Sequence, residues 1–592
     1  MALFQLNTLP KFSFQTQLSL PKQFPLGRMA ANKVAFSTAA NVYAAQIVDA
    51  PTERRSANWK PSIWDHDFIK TLKNDYTGEV YVRRADSLKD KIRQLLINVH
   101  DKKKSPLGLL ELIDNIQRLG LEHIFQDDIH QALGFVEEIN PAEMKYNLHA
   151  TALRFRLFRQ EGFSVSQDVF KVFKDRRGNF MEHITQDVKG MLSLYEASYL
   201  GVDGEDILDE AKVFAHKHLK DIKGNIDPNL KEQVNHSLDL PLNYQINRLE
   251  ARWYIDAYSR TENANYNLLE LAKLEYNMVQ SAHQKDAIEM SRWWKNLDLL
   301  KTLPFARNRL VECFIWSVGA AYEPQHNYCR EVITKLVCLI TIIDDVYDVY
   351  STLDEAKLFT DAVERWDANA VEDLPDYMKL CFLALYNTIN EFAYDTLKES
   401  GLNIIPCLKQ TWVRHCKAYL LEATWFHSGY KPTLEEYLDN ASVSVGVPLI
   451  LVNVFFAMHP KITKEALLFL KSYPDLIRLS SMVVRLTDDL GTSTAELERG
   501  DNIKSIQCYM NDKGVTEEVA REYIRDLTDE TWKKLNEVMW ADSPVSREFI
   551  KVCVHKARAA EAMYQYGDGH GDPSNVSKSR VLSLLVDTIP VM

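Results

Sequence analysis

A chain of 592 residues, 46% hydrophobic and 26% charged, has the composition of a globular protein and the length for more than one core, which sets aside low-complexity and collagen-like classes. Acidic residues outnumber basic ones, 82 to 70, for a formal net charge of -12, so unassisted binding of nucleic acid is excluded as a leading function. No uninterrupted apolar run reads as long enough to cross a bilayer, and the eight cysteines, all between Cys313 and Cys553, show no C-x-x-C pair and no zinc spacing, as expected of buried thiols in a reducing compartment.

Met1 to about Val48 contains no Asp or Glu, while Lys11, Lys22, Arg28 and Lys33 are scattered among Ser, Thr, Gln and Pro. This composition fits an organelle transit peptide removed shortly before Arg54 better than a secretory signal, because no compact apolar segment precedes a small-residue cleavage site. Arg54-Arg55 followed after eight residues by Trp64 reads, by itself, as a solvated basic strand with an anchoring aromatic. From Pro61 to about Tyr266 the chain reads as successive amphipathic helices, for example Leu109 to Leu119 with Gly120 as a stop signal. No strand-like alternation competes. Asp127-Asp128 has no third acid one turn on and reads as exposed charge near a helix start.

Arg307 and Arg309 precede an apolar run, Leu339-Ile340-Thr341-Ile342-Ile343, that ends in Asp344-Asp345-Val346-Tyr347-Asp348. Buried carboxylates must be protonated, paired or metal-bound. On a helix Asp344 and Asp348 lie roughly 6 Å apart along the axis and about 40° apart around it, whereas Asp345 is rotated by about 100° and suits a supporting position or occasional ligation. Oxygen ligands of this kind suit Mg2+ or Mn2+; a helix end with solvated acids is the alternative.

Asn440 to Pro448 interrupts a helical stretch with small residues and a proline, which frees carbonyls. Beyond it, Asp488, Thr492 and Glu496 fall at i, i+4 and i+8 and form a second oxygen stripe. Arg485 and Lys504 are placed to reach an anion held there, and forked arginines such as Arg307 suit the same task. Gly567-Asp568-Gly569-His570-Gly571 reads as a mobile lid; a Walker-type loop would need Lys and Ser or Thr at its close. For a pocket wall the candidates are Trp316, Val337, Thr341, Tyr347, Trp425, Tyr564 and Tyr566, because aromatic faces attract a cation without attacking it.

Taken together, Asp344-Asp345-x-x-Asp348, the Asp488/Thr492/Glu496 triplet, Arg54-Arg55 with Trp64, Arg292-Trp293-Trp294-Lys295 and Gly567-Asp568-Gly569-His570-Gly571 resemble the plant class I terpene synthases, in their angiosperm monoterpene synthase branch. Asp488 stands where that family often has Asn. The resemblance implies an all-α protein with two helical domains. Residues 1–53 would be a plastid transit peptide, 54–270 an N-terminal helical barrel, and 271–592 a C-terminal catalytic domain of the class I terpenoid synthase fold. It implies three Mg2+ (or Mn2+) ions on Asp344, Asp345, Asp348, Asp488, Thr492 and Glu496. The diphosphate would be bound by Arg307, Arg485 and Lys504 along with Asp344, Asp348 and Asp488. Arg307, Trp316, Tyr564 and Asp568 would be catalytic, and Arg54, Arg55 and Trp64 would form a strap over the site. The absence of Asp-x-Asp-Asp argues against protonation-initiated cyclisation in the N-terminal half. The expected substrate is a small prenyl diphosphate, with no nucleic-acid or membrane partner, a monomeric chain and a location in the chloroplast stroma. Geranyl diphosphate would be isomerised to the linalyl form and cyclised to a limonene-type product. The alternatives are an acyclic product such as linalool or myrcene, use of farnesyl diphosphate, and a catalytically silent helical interaction protein. A chain-elongating prenyltransferase would carry a second D-D-x-x-D where Asp488-Asp489-Leu490-Gly491-Thr492 stands.

Overall fold

The computed structural model describes residues 54–591 apart from 98–104, 139–143, 223–225, 459–461 and 573; the transit-peptide expectation concerns residues outside these. Among the described residues every extended regular element is a helix, and pairing of extended backbone is limited to one isolated bridge between Lys174 and Phe180. Local signals explain individual elements. The Pro106–Arg118 helix starts with the Ser105 hydroxyl accepting the Gly108 N–H at 3.0 Å, buries Leu109, Leu110, Ile113 and Ile116 at helical spacing, and gives way to Gly120 at a φ of +75°. Asp128 lies within the Glu122–Glu138 helix and pairs with Arg93 at 3.1 Å, so the Asp127-Asp128 pair is a structural feature of the first half.

Arg54–Met592 forms one compact unit built around two large hydrophobic cores. One gathers side chains from Ala85 to Tyr276 together with Ile589; the other takes Trp64, Ile69 and residues from Leu240 to Leu585. The nine helices that frame or support the second core near the site are α1 (Tyr266–Leu297), α2 (Leu310–Ala320), α3 (Asn327–Asp345), α4 (Ile405–Ser428), α5 (Leu434–Ser444), α6 (Val447–Met458), α7 (Asp475–Arg499), α8 (Ser505–Lys513) and α9 (Arg547–Tyr564). The expected boundary at 270/271 falls inside α1, whose Leu268 to Tyr276 belong to the first core and whose Ala287 and Met290 belong to the second. Asn277, on that helix, exchanges two hydrogen bonds with the Ile589 backbone, at 2.7 and 2.8 Å, tying the C-terminal tail to the N-terminal half.

Two expectations need correction. Leu434–Met458 is long and apolar enough, by length and composition alone, to cross a membrane, but 78% of its most apolar window is buried in the protein. It is also broken into α5 and α6 at Gly446, whose φ of +79° is open to glycine and strained for other residues. The Asp344–Asp348 stretch is not one regular α-helix: α3 ends at Asp345 and continues as a π-helical turn, Val346–Tyr350, a form that recurs at functional sites.

Candidate active site

A cavity of about 130 Å³ opens between α2, α3, α4, α7 and α9. From α3 and its π turn come Val337, Ile340, Thr341, Asp344 and Asp348; from α7 come Val484, Arg485, Asp488, Thr492 and Glu496. The two acidic stretches, remote in sequence, therefore line one hollow. Arg307, Trp316, Lys504, Tyr564 and Asp568 line it as well, as do Ser444, Val445 and Val447 at the break between α5 and α6.

Each Asp-Asp pair splits its labour in the same way. Asp344 and Asp488 face the cavity, while Asp345 and Asp489 are wholly buried outside it. Asp345 accepts the Arg307 backbone N–H at 2.7 Å and the Trp59 indole N–H at 3.0 Å, and lies 3.0 Å from Arg307 Nε. Asp489 accepts the Tyr437 hydroxyl at 3.0 Å and the Ser505 N–H at 3.1 Å, and lies 3.1 Å from Arg485 Nε. The expectation that Asp345 could ligate a metal thus meets a carboxylate already held by protein groups. It positions Arg307. Arg307 pairs in turn with Asp344, and Arg485 with Asp488.

Six carboxyl groups of the cavity (Asp344, Asp348, Glu422, Asp488, Glu496 and Asp568) face four basic side chains. Burial drives the Asp348 carboxyl well above its usual range, with Asp344 beside it adding to the rise. Burial likewise raises Glu422 and Asp568. Asp344 goes the other way, because Arg307 and Lys504 outweigh its own desolvation. Lys504 is pulled down by burial but ends raised by Glu496, 3.6 Å away.

Among the described residues no three acidic, histidine or cysteine groups converge on one point, since Asp344 and Asp488 are turned onto arginines. The donor set nonetheless fits hard divalent cations. Asp348 Oδ1, Thr492 Oγ1 and Glu496 Oε2 are buried oxygens without a hydrogen-bond partner, and a surplus of desolvated carboxyls is relieved by oxygen-coordinated Mg2+ or Mn2+.

Arg54 and Arg55 hold the segment before Trp64 against these stretches. Arg54 donates to both Glu355 oxygens, at 2.9 and 2.8 Å, and to the Tyr350 carbonyl at 3.1 Å. The Trp59 ring contacts the guanidinium groups of Arg307 and Arg499, at 4.5 and 4.8 Å. Trp64 is buried in the second core. Arg309, the other arginine before the apolar run, is locked between strap and tail: it donates to the Lys60 carbonyl at 2.9 Å and to the Gly571 carbonyl at 2.7 Å. The glycine-rich loop is packed in place. Asp568 accepts the N–H groups of His570 and Gly571, at 3.1 and 2.6 Å, and the His570 ring meets Thr341 Oγ1 at 3.0 Å.

Of the wall candidates, Trp316, Val337, Thr341 and Tyr564 line the cavity. Tyr347 does not: the turn that brings Asp348 to the cavity sends the Tyr347 hydroxyl to Thr360, at 2.7 Å. Trp425 packs on a separate small core, and Tyr566 is half exposed with its hydroxyl on Asp239. Sequence reasoning missed Trp59, Tyr419, Glu422 and Lys556. Tyr419 and Glu422 share a face of α4 at i, i+3, and Lys556 stands between His555 and Ala557-Arg558 with nothing in the sequence to set it apart from a surface lysine.

The family model described as "Terpene synthase family, metal binding domain" matches residues 295–534, and "Terpene synthase, N-terminal domain" matches 63–238. The chain is 53% identical over 541 residues to (-)-alpha-terpineol synthase of Vitis vinifera, covering 91% of both chains. It is 50% identical over 571 residues to "Myrcene synthase, chloroplastic" of Quercus ilex, covering 96% of this chain and 93% of that one. Among solved structures, isoprene synthase from grey poplar leaves (Populus x canescens), in complex with three Mg2+ ions and dimethylallyl-S-thiolodiphosphate, superposes with a TM-score of 0.83 at 48% identity, covering 89% of this chain and 99% of that one.

Proposed function

Because this chain belongs to the terpene synthase family, with both its N-terminal and its metal-binding domain, we propose that it is a monoterpene synthase that ionises geranyl diphosphate, releases diphosphate and cyclises the remaining cation. The observation that carries the proposal is the meeting of two acidic stretches with Arg307, Arg485 and Lys504 on one cavity whose remaining lining includes Trp316, Tyr564 and aliphatic side chains.

Asp344 and Asp348 on one side, and Asp488, Thr492 and Glu496 on the other, would hold divalent cations, three by analogy with the poplar enzyme complex. Bound there, such ions neutralise a diphosphate and make it a better leaving group. Arg307, Arg485 and Lys504 bind its oxygens. To do so, Arg307 and Arg485 exchange their present partners, Asp344 and Asp488, for phosphate, which leaves those carboxylates free for cations. Charge complementarity at the leaving group, rather than an acid, drives ionisation.

Val337, Ile340, Val447 and Ile450 keep the opposite end apolar and exclude water. The Trp316 and Tyr564 faces each offer the organic cation about 0.5 to 2 kcal/mol of attraction. Asp568 holds the loop that carries His570 to the cavity. Arg54, Arg55 and Trp64, with Trp59, fasten the strap over the acidic stretches. Cyclisation through a linalyl intermediate to a terpinyl cation, with proton loss to limonene or a related hydrocarbon, is the preferred course. The likeness to alpha-terpineol synthase favours the cyclisation to a terpinyl cation but not the proton loss, since terpineol is the alcohol formed when water captures that cation, and the likeness to myrcene synthase supports an acyclic outcome as the second reading. The acid-free N-terminal segment and the chloroplastic relative support a plastid location, and the chain is proposed to act as a monomer.

The test is incubation of the protein starting at Arg54 with geranyl or farnesyl diphosphate and Mg2+, with diphosphate release and volatiles measured together. Monoterpenes from geranyl diphosphate are expected. No volatile from either substrate defeats the proposal.

A further inference from the structure

Arg307, Arg485 and Lys504 each have a carboxylate partner in the cavity. Lys556 has none among the described residues. It projects from α9 into the same cavity, is 3% exposed, and its Nζ lies 4.0 Å from the centre of the Trp316 ring. The titratable groups that interact with it are the Cys313 thiol of α2 and the His570 ring of the C-terminal loop. Burial holds the His570 ring neutral, at about 3, so it brings no negative charge to the amine. A buried ammonium without a counter-ion is costly, and burial brings the Lys556 amine down to about 7. A carbocation beside the same ring would disfavour the ammonium further by like-charge repulsion.

Resting on the proposed function, we propose that Lys556 is the base that ends the reaction: its neutral amine removes the proton that converts the final carbocation into an olefin. The amine lone pair takes a hydrogen from a carbon next to the cationic centre. The C–H bonding pair becomes the new double bond, and the amine becomes an ammonium. That ammonium is then unpaired in a low-dielectric pocket, and it returns its proton to the departing diphosphate or to water when the site opens. Trp316 holds the cation and the amine at the same ring, so the base is positioned at the charge it quenches. Ionisation precedes this step and uses other side chains, so removing the amine reroutes the cation without abolishing its formation.

The experiment compares the parent protein with Lys556→Met, which keeps the length and removes the base, in the presence of geranyl diphosphate and Mg2+. Diphosphate release and the ratio of olefins to water-captured alcohols are measured separately. The expected result is continued diphosphate release with an olefin-to-alcohol ratio lowered by roughly 100-fold, the lower end of what a positioned base contributes. Should circular dichroism show that Lys556→Met does not fold, Lys556→Gln takes its place. An unchanged ratio in the folded variant overturns the inference, as does a folded variant that no longer releases diphosphate. A terpenyl adduct on Lys556 in the parent, found by mass spectrometry, also overturns it, because the amine would then be acting as a nucleophile. A parent that makes only alcohols sinks this inference alone, whereas a parent that makes no volatile sinks the proposed function.

Discussion

The Arg55 guanidinium donates to the backbone carbonyl of Asp348 at 3.0 Å across 293 residues of sequence. Its other terminal nitrogen reaches the Gly500 carbonyl at 3.0 Å and Asp501 at 2.8 Å, just past the end of α7. One side chain of the strap thus ties together the ends of the two acidic stretches. Arg55→Ala should leave the fold intact, because the lost bonds are partly exposed, while kcat/KM for geranyl diphosphate falls by about tenfold or more, the equivalent of one charged hydrogen bond. Steady-state kinetics with thermal unfolding as a control checks this; an unchanged kcat/KM would refute the bridging role.

Trp59 holds Arg307 from two directions, through its indole N–H on Asp345 and its ring against the guanidinium. Trp59→Phe keeps the ring and loses the N–H, and Trp59→Ala loses both. KM for the diphosphate substrate should rise in that order. For the alanine variant the rise is about 10- to 30-fold, from roughly 1.5 to 2 kcal/mol of lost ring contact and hydrogen bond. Equal effects of the two variants would show that the ring is not a support for Arg307.

Asp348 and Glu496 carry buried oxygens without hydrogen-bond partners. Asp348→Asn or Glu496→Gln should raise the Mg2+ concentration needed for half-maximal activity by at least about 10- to 100-fold, as expected when even an outer metal partner is lost. Asp348→Asn should leave the metal-free protein as stable as the parent, because burial already holds that carboxyl toward its neutral form, whereas Glu496→Gln also takes the partner from Lys504, so only the Mg2+ readout applies to it. A Mg2+ titration of activity, with unfolding measured in chelator, distinguishes this from a structural role: a lower melting temperature of Asp348→Asn in chelator would count against it.

Gly569 leaves no room for a side chain: a Cβ there would lie 2.1 Å from the Met563 carbonyl oxygen, a backbone atom at the end of α9. Gly569→Ala must therefore displace the loop that brings Asp568 and His570 to the cavity. A loss of about 1 to 3 kcal/mol of stability is expected from such overpacking, together with a shift in product distribution. Retention of both the parent melting temperature and its products would show that the loop is not tightly held.

The Arg54–Glu355 pair gives the strap a pH dependence. Burial would raise the Glu355 carboxyl, but the Arg54 hydrogen bonds and the Thr352 N–H bring it down to about 2. The depressed value means that the contribution to strap attachment is fully present above about pH 4.3, the unfolded value, and is lost as pH falls toward 2. Arg54 stays charged throughout. Hydrogen exchange of residues 54–60 should therefore speed up, after correction for intrinsic rates, between pH 5 and pH 2.5. In Glu355→Gln it should already be fast at pH 5; a slow exchange in that variant would contradict the assignment.

By itself the sequence determined the helical class, because apolar residues recur at helical spacing from Leu109 onward with capping residues and glycines at the ends. It also determined which oxygens gather, because Asp344/Asp348 and Asp488/Thr492/Glu496 are spaced by single helical turns. Periodicity says which residues share a face. It does not say which distant face lies opposite. Only the tertiary structure decided that Asp345 and Asp489 serve as supports, that Arg309 is spent on the Lys60 and Gly571 carbonyls, and that Tyr347 turns away with the π turn. Only it set Lys556 against Trp316 and Trp59 against Arg307. These pairings join segments tens to hundreds of residues apart, and their energies depend on burial and on the charge of the neighbour, quantities that exist only once the chain has closed on itself.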